Sequence, residues 1–282
     1  MCRTDWYLGI GGSLAILDSD AGESKTAINL PMESADANHR AEGLPVAVQL
    51  ADLTIRYGEV VAVDGITLSV APGQVLGLLG GNGAGKSSTL RAVAGVNPAT
   101  SGTLVVAGFD LADPRQVEKA RQAVGYCPDV GGLIPAATPR EHIAATLAFR
   151  GLTHLWPQAY DLVEKFELTR AFDRLTGGFS HGMARRLSVI LAALAAEKVL
   201  ILDEPFDGVD PGGVDATLDV IRTARDAGLA VMISTHLLRL IVRSCDSVTV
   251  MNAGHVVASG PADEYGGEQG DHRYQQLSRR GG

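Results

Sequence analysis

The sequence has few of the residues that would place it in several large protein classes. It holds 3 cysteines in 282 residues, namely Cys2, Cys127 and Cys245, an odd number with no C-x-x-C pair. That excludes a disulfide framework and predicts a reducing, cytosolic setting. Lys and Arg total 24 against 32 Asp and Glu, giving a net charge of −8. The general attraction of a basic chain to nucleic acid or anionic lipid is therefore missing. No nucleic-acid partner is expected, and any phosphate must be gripped locally. No continuously apolar run reaches the about 20 residues that a membrane helix needs. The candidates are Trp6–Leu17 and Leu187–Ala196. The first is short and glycine-containing, and it lacks the basic start and cleavage site of a signal peptide. A membrane role then requires a partner. Apolar residues at 46% and charged residues at 20% describe a globular chain with ample core material.

Three regions differ in texture. Residues 1–44 show no sustained period and are mostly small and polar from Asp18 to Gly43, which predicts a flexible leader. Met32 lies within it and is a second candidate start. Residues 45–260 form the expected domain. Val46–Ile55, Val60–Val63 and Ile66–Val70 read as short β segments broken at Tyr57-Gly58 and Asp64-Gly65. Gln74–Leu79, Val199–Leu202 and Ala230–Ser234 are continuous apolar runs, as in buried parallel strands, and helical stretches separate them. The expected fold is α/β: a P-loop core with a mixed, largely parallel sheet, an antiparallel β subdomain and a helical insert over about residues 130–178.

Within the insert, Thr138-Pro139-Arg140-Glu141 is a capping box and Gly151 a stop, and Gln158–Glu167 reads as a second helix. Ser247–Met251 and His255–Ala258 flank Asn252-Ala253-Gly254, a hairpin signal. Residues 261–282 are polar and are expected to fray. His142, His154 and His255 are expected on solvated surfaces, Cys127 in a structural role, and Arg185-Arg186 on a solvated helix face.

The strongest chemical signal is Gly80-Gly81-Asn82-Gly83-Ala84-Gly85-Lys86-Ser87, followed by Ser88, a complete G-x-x-x-x-G-K-[ST] between a strand and a helix. Glycines let the backbone N–H groups turn inward around phosphates, and the helix adds its positive N-terminus. Lys86 reaches the β- and γ-phosphates, and Ser87 offers a hydroxyl to Mg²⁺. Val199–Leu202 ends in Asp203-Glu204, which delivers two carboxylates to the C-terminal edge of the sheet. Asp203 is expected at the metal and Glu204 as the general base for the attacking water. Ser180 reads as the N-cap of a helix over Ala184–Ala196, with Gly182 as a close-approach position.

In order, the phosphate loop, Ser180–Met183, Asp203-Glu204, Asp207-Gly208-Val209-Asp210 and Ser234-Thr235-His236 resemble the ATPase subunits of ATP-binding cassette transporters, from about Val46 to Gly260. The resemblance implies ATP and Mg²⁺ as ligands, with Tyr57 stacking on adenine. It implies Ser180 and Gly182 on the γ-phosphate of an opposite subunit, Asp210 at the dimer interface, and His236 beside Glu204 at the γ-phosphate. It also implies a homodimer or a related second ATPase subunit, a separate membrane permease, and a place on the cytoplasmic face of the membrane through that permease. Glu141–Gly151 resembles the drug and polysaccharide exporter type.

Three positions depart from the family. Gly81 stands where proline is common, and the signature reads Phe-Ser-His-Gly-Met. Asp129, after Tyr126-Cys127-Pro128, replaces a glutamine; it is expected at the metal and adds a negative charge near the γ-phosphate. A soluble cassette ATPase of the translation or DNA-repair type is the alternative, although such chains fuse two cassettes or carry long coiled coils. A P-loop kinase or GTPase fits less well, since no N-K-x-D occurs and Ser180–Met183 does.

Overall fold

The computed structural model describes residues 7–9, 13–15, 46–129 and 131–279. Ahead of the main domain, β1 (Tyr7–Gly9) and β2 (Ser13–Ala15) pair antiparallel. The rest of the expected leader lies outside the described residues. The chain divides into two compact units, Met1–Gly43 and Leu44–Gly282.

The second unit opens with β3 (Val48–Tyr57) and β4 (Val60–Val70), which form an antiparallel sheet with two strands that follow the phosphate loop, β6 (Ser101–Val106) and β7 (Phe109–Asp110). Its order is β4-β3-β6-β7. The expected break at Asp64-Gly65 is not a turn. It is a register shift within one long strand: Gly65 takes φ +59°, so Val63 and Ile66 both face the core. Asp52 does the same for Leu50 and Leu53, and a Cβ on Gly102 opposite would meet the Asp52 carbonyl oxygen at 2.3 Å. Such bulges change the alternation that a regular strand imposes.

The second sheet holds the chemistry. From β5 (Val75–Leu79) the chain passes through the phosphate loop into α1 (Lys86–Val93), and beyond β7 through α2 (Pro114–Ala123) into β8 (Val124–Cys127). The helical insert follows as α3 (Pro139–Arg150) and α4 (Trp156–Lys165), and α5 (His181–Ala195) returns to the core. Then come β9 (Val199–Asp203), α6 (Pro211–Asp226), β10 (Ala230–Thr235), α7 (Leu238–Ser244), β11 (Ser247–Asn252) and β12 (His255–Pro261). The strand order is β12-β11-β5-β10-β9-β8, parallel except for β12. Every residue of β5, β9 and β10 is buried, as their unbroken apolar runs require.

In the insert, Thr138 and Glu141 form the reciprocal capping box, and Gly151 ends α3 in the left-handed region at φ 68°. The second helix begins two residues before the expected Gln158, because Pro157 suits the first turn. His142 is a correction: it is buried, donating from Nδ1 to the Thr138 carbonyl at 2.8 Å and accepting the Ile134 N–H at Nε2 at 2.8 Å. Those two bonds define a neutral imidazole. His154 and His255 are exposed as expected.

The polar tail expected over residues 261–282 also needs correction. Ala262 and Tyr265 are buried against Leu79, Ile241 and Val250, and α8 (Gly267–Arg279) packs Tyr274 and Leu277 on the same cluster. One buried aromatic anchors a segment whose composition reads as loose.

Candidate functional site

The site forms where β5, β9 and β10 end on the same edge of the sheet. The loop before α1 is shaped by close backbone approaches. A Cβ on Gly80 would meet the Met251 carbonyl oxygen at 2.4 Å, and Gly85 sits at φ +100° with the Ala62 carbonyl oxygen 2.6 Å from its Cβ position. Gly81 is exposed and its Cβ position is open, so no close approach requires a glycine there. Asn82 and Gly83 are exposed at the tip, Ala84 is buried, and Ser88 is half-buried. The Lys86 side chain is 6% exposed, and its ammonium donates to the carbonyls of Gly80 at 2.8 Å and Gly81 at 3.2 Å.

Opposite the loop, Asp203 is fully buried. Its Oδ1 accepts the hydroxyls of Ser87 at 3.0 Å and Ser234 at 2.5 Å, while Oδ2 has no partner among the described residues. Burial raises the Asp203 pKa, against the pull of the two hydroxyls. An acid that is destabilised as an anion and keeps one oxygen uncommitted suits a hard cation. The described residues hold no cluster of three His, Cys, Asp or Glu side chains suited to a metal. The donor set beside Ser87 therefore matches an ion that takes most of its oxygens from phosphate and water, as Mg²⁺ does.

Glu204 follows in the left-handed region at φ 47°. Its N–H donates to the Ser234 carbonyl at 3.2 Å and hydroxyl at 2.9 Å. Its carboxylate lies 3.3 Å from the Lys86 ammonium through Oε1 and accepts from His236 Nδ1 at 3.1 Å through Oε2. Lys86, Ser87, Asp203, Glu204 and His236 are thus brought together as the sequence predicts. Ser234, which carries no assigned role in the sequence reading, joins the two acids. Its hydroxyl at the end of a buried strand was the available signal.

Other expected residues stand elsewhere. Tyr57 is 43% exposed at the end of β3, and its hydroxyl accepts from Asn97 Nδ2 at 2.9 Å. Ser180 is exposed and caps α5, accepting the Met183 N–H at 3.3 Å. Gly182 is needed within its own chain, since a Cβ there would lie 2.6 Å from the Gly208 carbonyl oxygen. The departing His181 lies over Gly208, with Nε2 3.6 Å from Asp207. No hydrogen bond or ion pair joins Tyr57, Ser180 or Gly182 to the Lys86–Glu204 cluster among the described residues.

The two arginines overturn the solvated-face reading. Arg185 is 4% and Arg186 7% exposed, because α5 packs against β8, α3, α4 and α6. Arg186 pairs with Asp210, which also caps α6 by accepting the Gly213 N–H at 2.9 Å. That amide and the guanidinium hold the Asp210 carboxyl below the usual range. Arg185 pairs with Asp129 at 3.1 Å. The carboxylate expected at the metal is thus engaged by a guanidinium, and its charge is offset before any phosphate arrives.

A phosphate loop at the end of one central strand, acids at the end of another and a strand between them define a P-loop nucleotide hydrolase. The family described as ABC transporter matches residues 63–207. The chain is 32% identical over 216 residues to the linearmycin resistance ATP-binding protein LnrL of Bacillus subtilis, covering 76% of this chain and 68% of that one. It is 31% identical over 205 residues to the lipopolysaccharide export system ATP-binding protein LptB of Escherichia coli, covering 72% of this chain and 85% of that one. A solved ATP-binding subunit of an ABC transporter matches with a TM-score of 0.76 at 29% identity, over 83% of this chain and 100% of that one. This chain belongs to the ATP-binding subunits of ABC transporters, and its activity is ATP hydrolysis coupled to transport. No helix among the described residues is long and apolar enough to cross a membrane.

Proposed function

We propose that this chain is the ATPase subunit of an exporter, working through a separate permease, with hydrolysis at the Lys86–Glu204–His236 cluster. The contact between Lys86 and Glu204 supports this best, since it sets the cation of the phosphate loop beside the candidate base. The loop from Gly80 to Gly85 cradles the phosphates with its amides, and Lys86 exchanges its carbonyl bonds for phosphate oxygens. Ser87 and Asp203 hold Mg²⁺, which supplies charge neutralisation on the phosphates when bound. Glu204 accepts the proton of the attacking water, and His236 keeps the carboxylate turned to that place. Tyr57 stacks on the base, as an exposed aromatic face can. Ser180 and Gly182, at an exposed helix start, receive the nucleotide of a second ATPase subunit, with Asp210 at that interface.

The permease is proposed to dock at the cleft between insert and core, on the cytoplasmic face of the membrane. The cleft measures about 620 Å³ and is bordered by Val96, Tyr126, Pro128, Phe149 and Leu191. Phe149 at 91% exposure and Val96 at 54% leave apolar surface that a partner would cover. The export direction follows the name of the lipopolysaccharide export system relative, LptB. In the test, the chain with Phe149→Cys is co-expressed with candidate permeases and cross-linked. Capture of a permease loop with ATP-dependent yield is the expected result. Cross-links only to a second copy of the chain would favour the soluble cassette reading.

A further inference from the structure

The peptide between Asp203 and Glu204 is held from both sides. Its N–H donates to Ser234, and its carbonyl oxygen accepts from Arg185 Nη1 at 3.3 Å. The same guanidinium donates to the carbonyl of Pro128 at 2.6 Å, to that of Asp129, and to the Asp129 carboxylate at 3.1 Å. Arg185 is buried, and Asp129 is its one ion-pair partner among the described residues. A non-glycine residue at φ 47° does not hold that backbone conformation without support from its surroundings.

We infer that Arg185 is a positioning residue for Glu204, and that Asp129 acts on hydrolysis through Arg185 instead of through the metal. This rests on the reading of Glu204 as the base. A buried guanidinium needs its counter-ion, and the planar fork spans the Asp129 loop and the end of β9 together. Loss of Asp129 leaves Arg185 charged and free to turn. Loss of Arg185 frees the Asp203–Glu204 peptide, and the carboxylate loses its setting beside Lys86 and His236. Substrate binding at the loop before α1 is untouched by either change.

The test uses the full-length chain with ATP and Mg²⁺, comparing Arg185→Gln, Arg185→Lys, Asp129→Asn and the double variant Asp129→Asn/Arg185→Gln. Misplacing a catalytic group by about 1 Å costs on the order of 100-fold in rate. The expected result is a 10- to 100-fold fall in kcat for Arg185→Gln on that scale, with KM for ATP within about twofold of wild type. Arg185→Lys recovers little, because a single ammonium cannot span the four acceptors. The double variant is no slower than Arg185→Gln alone, since Asp129 has nothing left to act through. Rate losses that multiply in the double variant overturn the inference, as does a change in KM or metal requirement with kcat preserved. Should Arg185→Gln fail to fold, Asp129→Asn decides: a raised Mg²⁺ requirement at constant kcat overturns the inference, and a reduced kcat at constant Mg²⁺ requirement supports it. A wild-type chain that neither binds nor hydrolyses ATP overturns the underlying reading of the site, an outcome distinct from all of these.

Discussion

Lys86 and Glu204 neutralise each other at 3.3 Å, with their side chains only 6% and 12% exposed. The phosphate-gripping cation and the candidate base therefore start as partners. A triphosphate carries more negative charge than one carboxylate, so its arrival draws Lys86 away and leaves Glu204 with His236 alone. Binding and the readiness of the base are linked through one ammonium group.

Lys86→Ala should weaken binding of a fluorescent ATP analogue on the order of 100-fold, about 2.8 kcal/mol, and leave the fold intact. Glu204 keeps its bond to His236, so the melting temperature should move by less than about 5 °C. Unchanged affinity in a titration at fixed Mg²⁺ would refute the assignment of the loop.

Glu204→Gln should retain ATP binding and lower hydrolysis about 10²- to 10⁴-fold, the usual contribution of a general base. It also removes a negative charge beside the phosphates, which favours an ATP-bound dimer. Size-exclusion chromatography with Mg·ATP is the measurement. A monomer turning over at wild-type speed contradicts both halves.

Gly182→Ala places a Cβ 2.6 Å from the Gly208 carbonyl oxygen, so the backbone of Asp207–Asp210 must shift. The expected cost is about 1–3 kcal/mol in chemical denaturation, together with a loss of ATPase activity. Gly178→Ala, where the Cβ position is open, serves as the comparison and should behave as wild type. Equal stability of the two variants would show that the approach of Gly208 is not tight.

Burial pushes the thiols of Cys127 and Cys245 from 9.0 up to about 12. Both stay protonated in the fold at pH values where the unfolded chain has begun to ionise. Unfolding then releases protons, and stability should fall as pH rises from about 9 towards about 12. Burial raises Tyr126 and Tyr265 too, so their contribution has the same sign. Urea midpoints at pH 8 and pH 10.5 test this, with a lower midpoint expected at pH 10.5. Native Cys127 should also resist alkylation at pH 8.

Much of the site is legible in the sequence because its residues stand at strand ends, where topology alone gathers them. Lys86, Asp203, Glu204 and His236 follow from that rule. Arg185 and Arg186 do not, because two adjacent charges read as a wet helix face. The residues after them (Leu187, Val189, Ile190, Leu191, Leu194) are apolar on every side of α5, which is the pattern of a buried helix. Burial of His142 depends on the loop at Ile134 folding back over the capped first turn of α3, which no local period encodes. The last helix was hidden for a similar reason. Its polar composition gives no apolar stripe of useful length, and its anchor, Tyr265, lies outside it.

The order β5-β10-β9 sets a length scale that neither motif contains. The strand carrying the phosphate loop and the strand carrying the acids are separated by a whole strand, a span of about 10 Å between backbones. Ser87 on α1 reaches across to Asp203, and Ser234 fills the middle. Were the two strands neighbours, the acids would crowd the loop and no strand end would remain to carry His236. The interposed β10 works as a spacer matched to a polyphosphate chain. A slip of one residue along it would turn the Ser234 hydroxyl to the other face of the sheet and uncouple the two acids at a stroke.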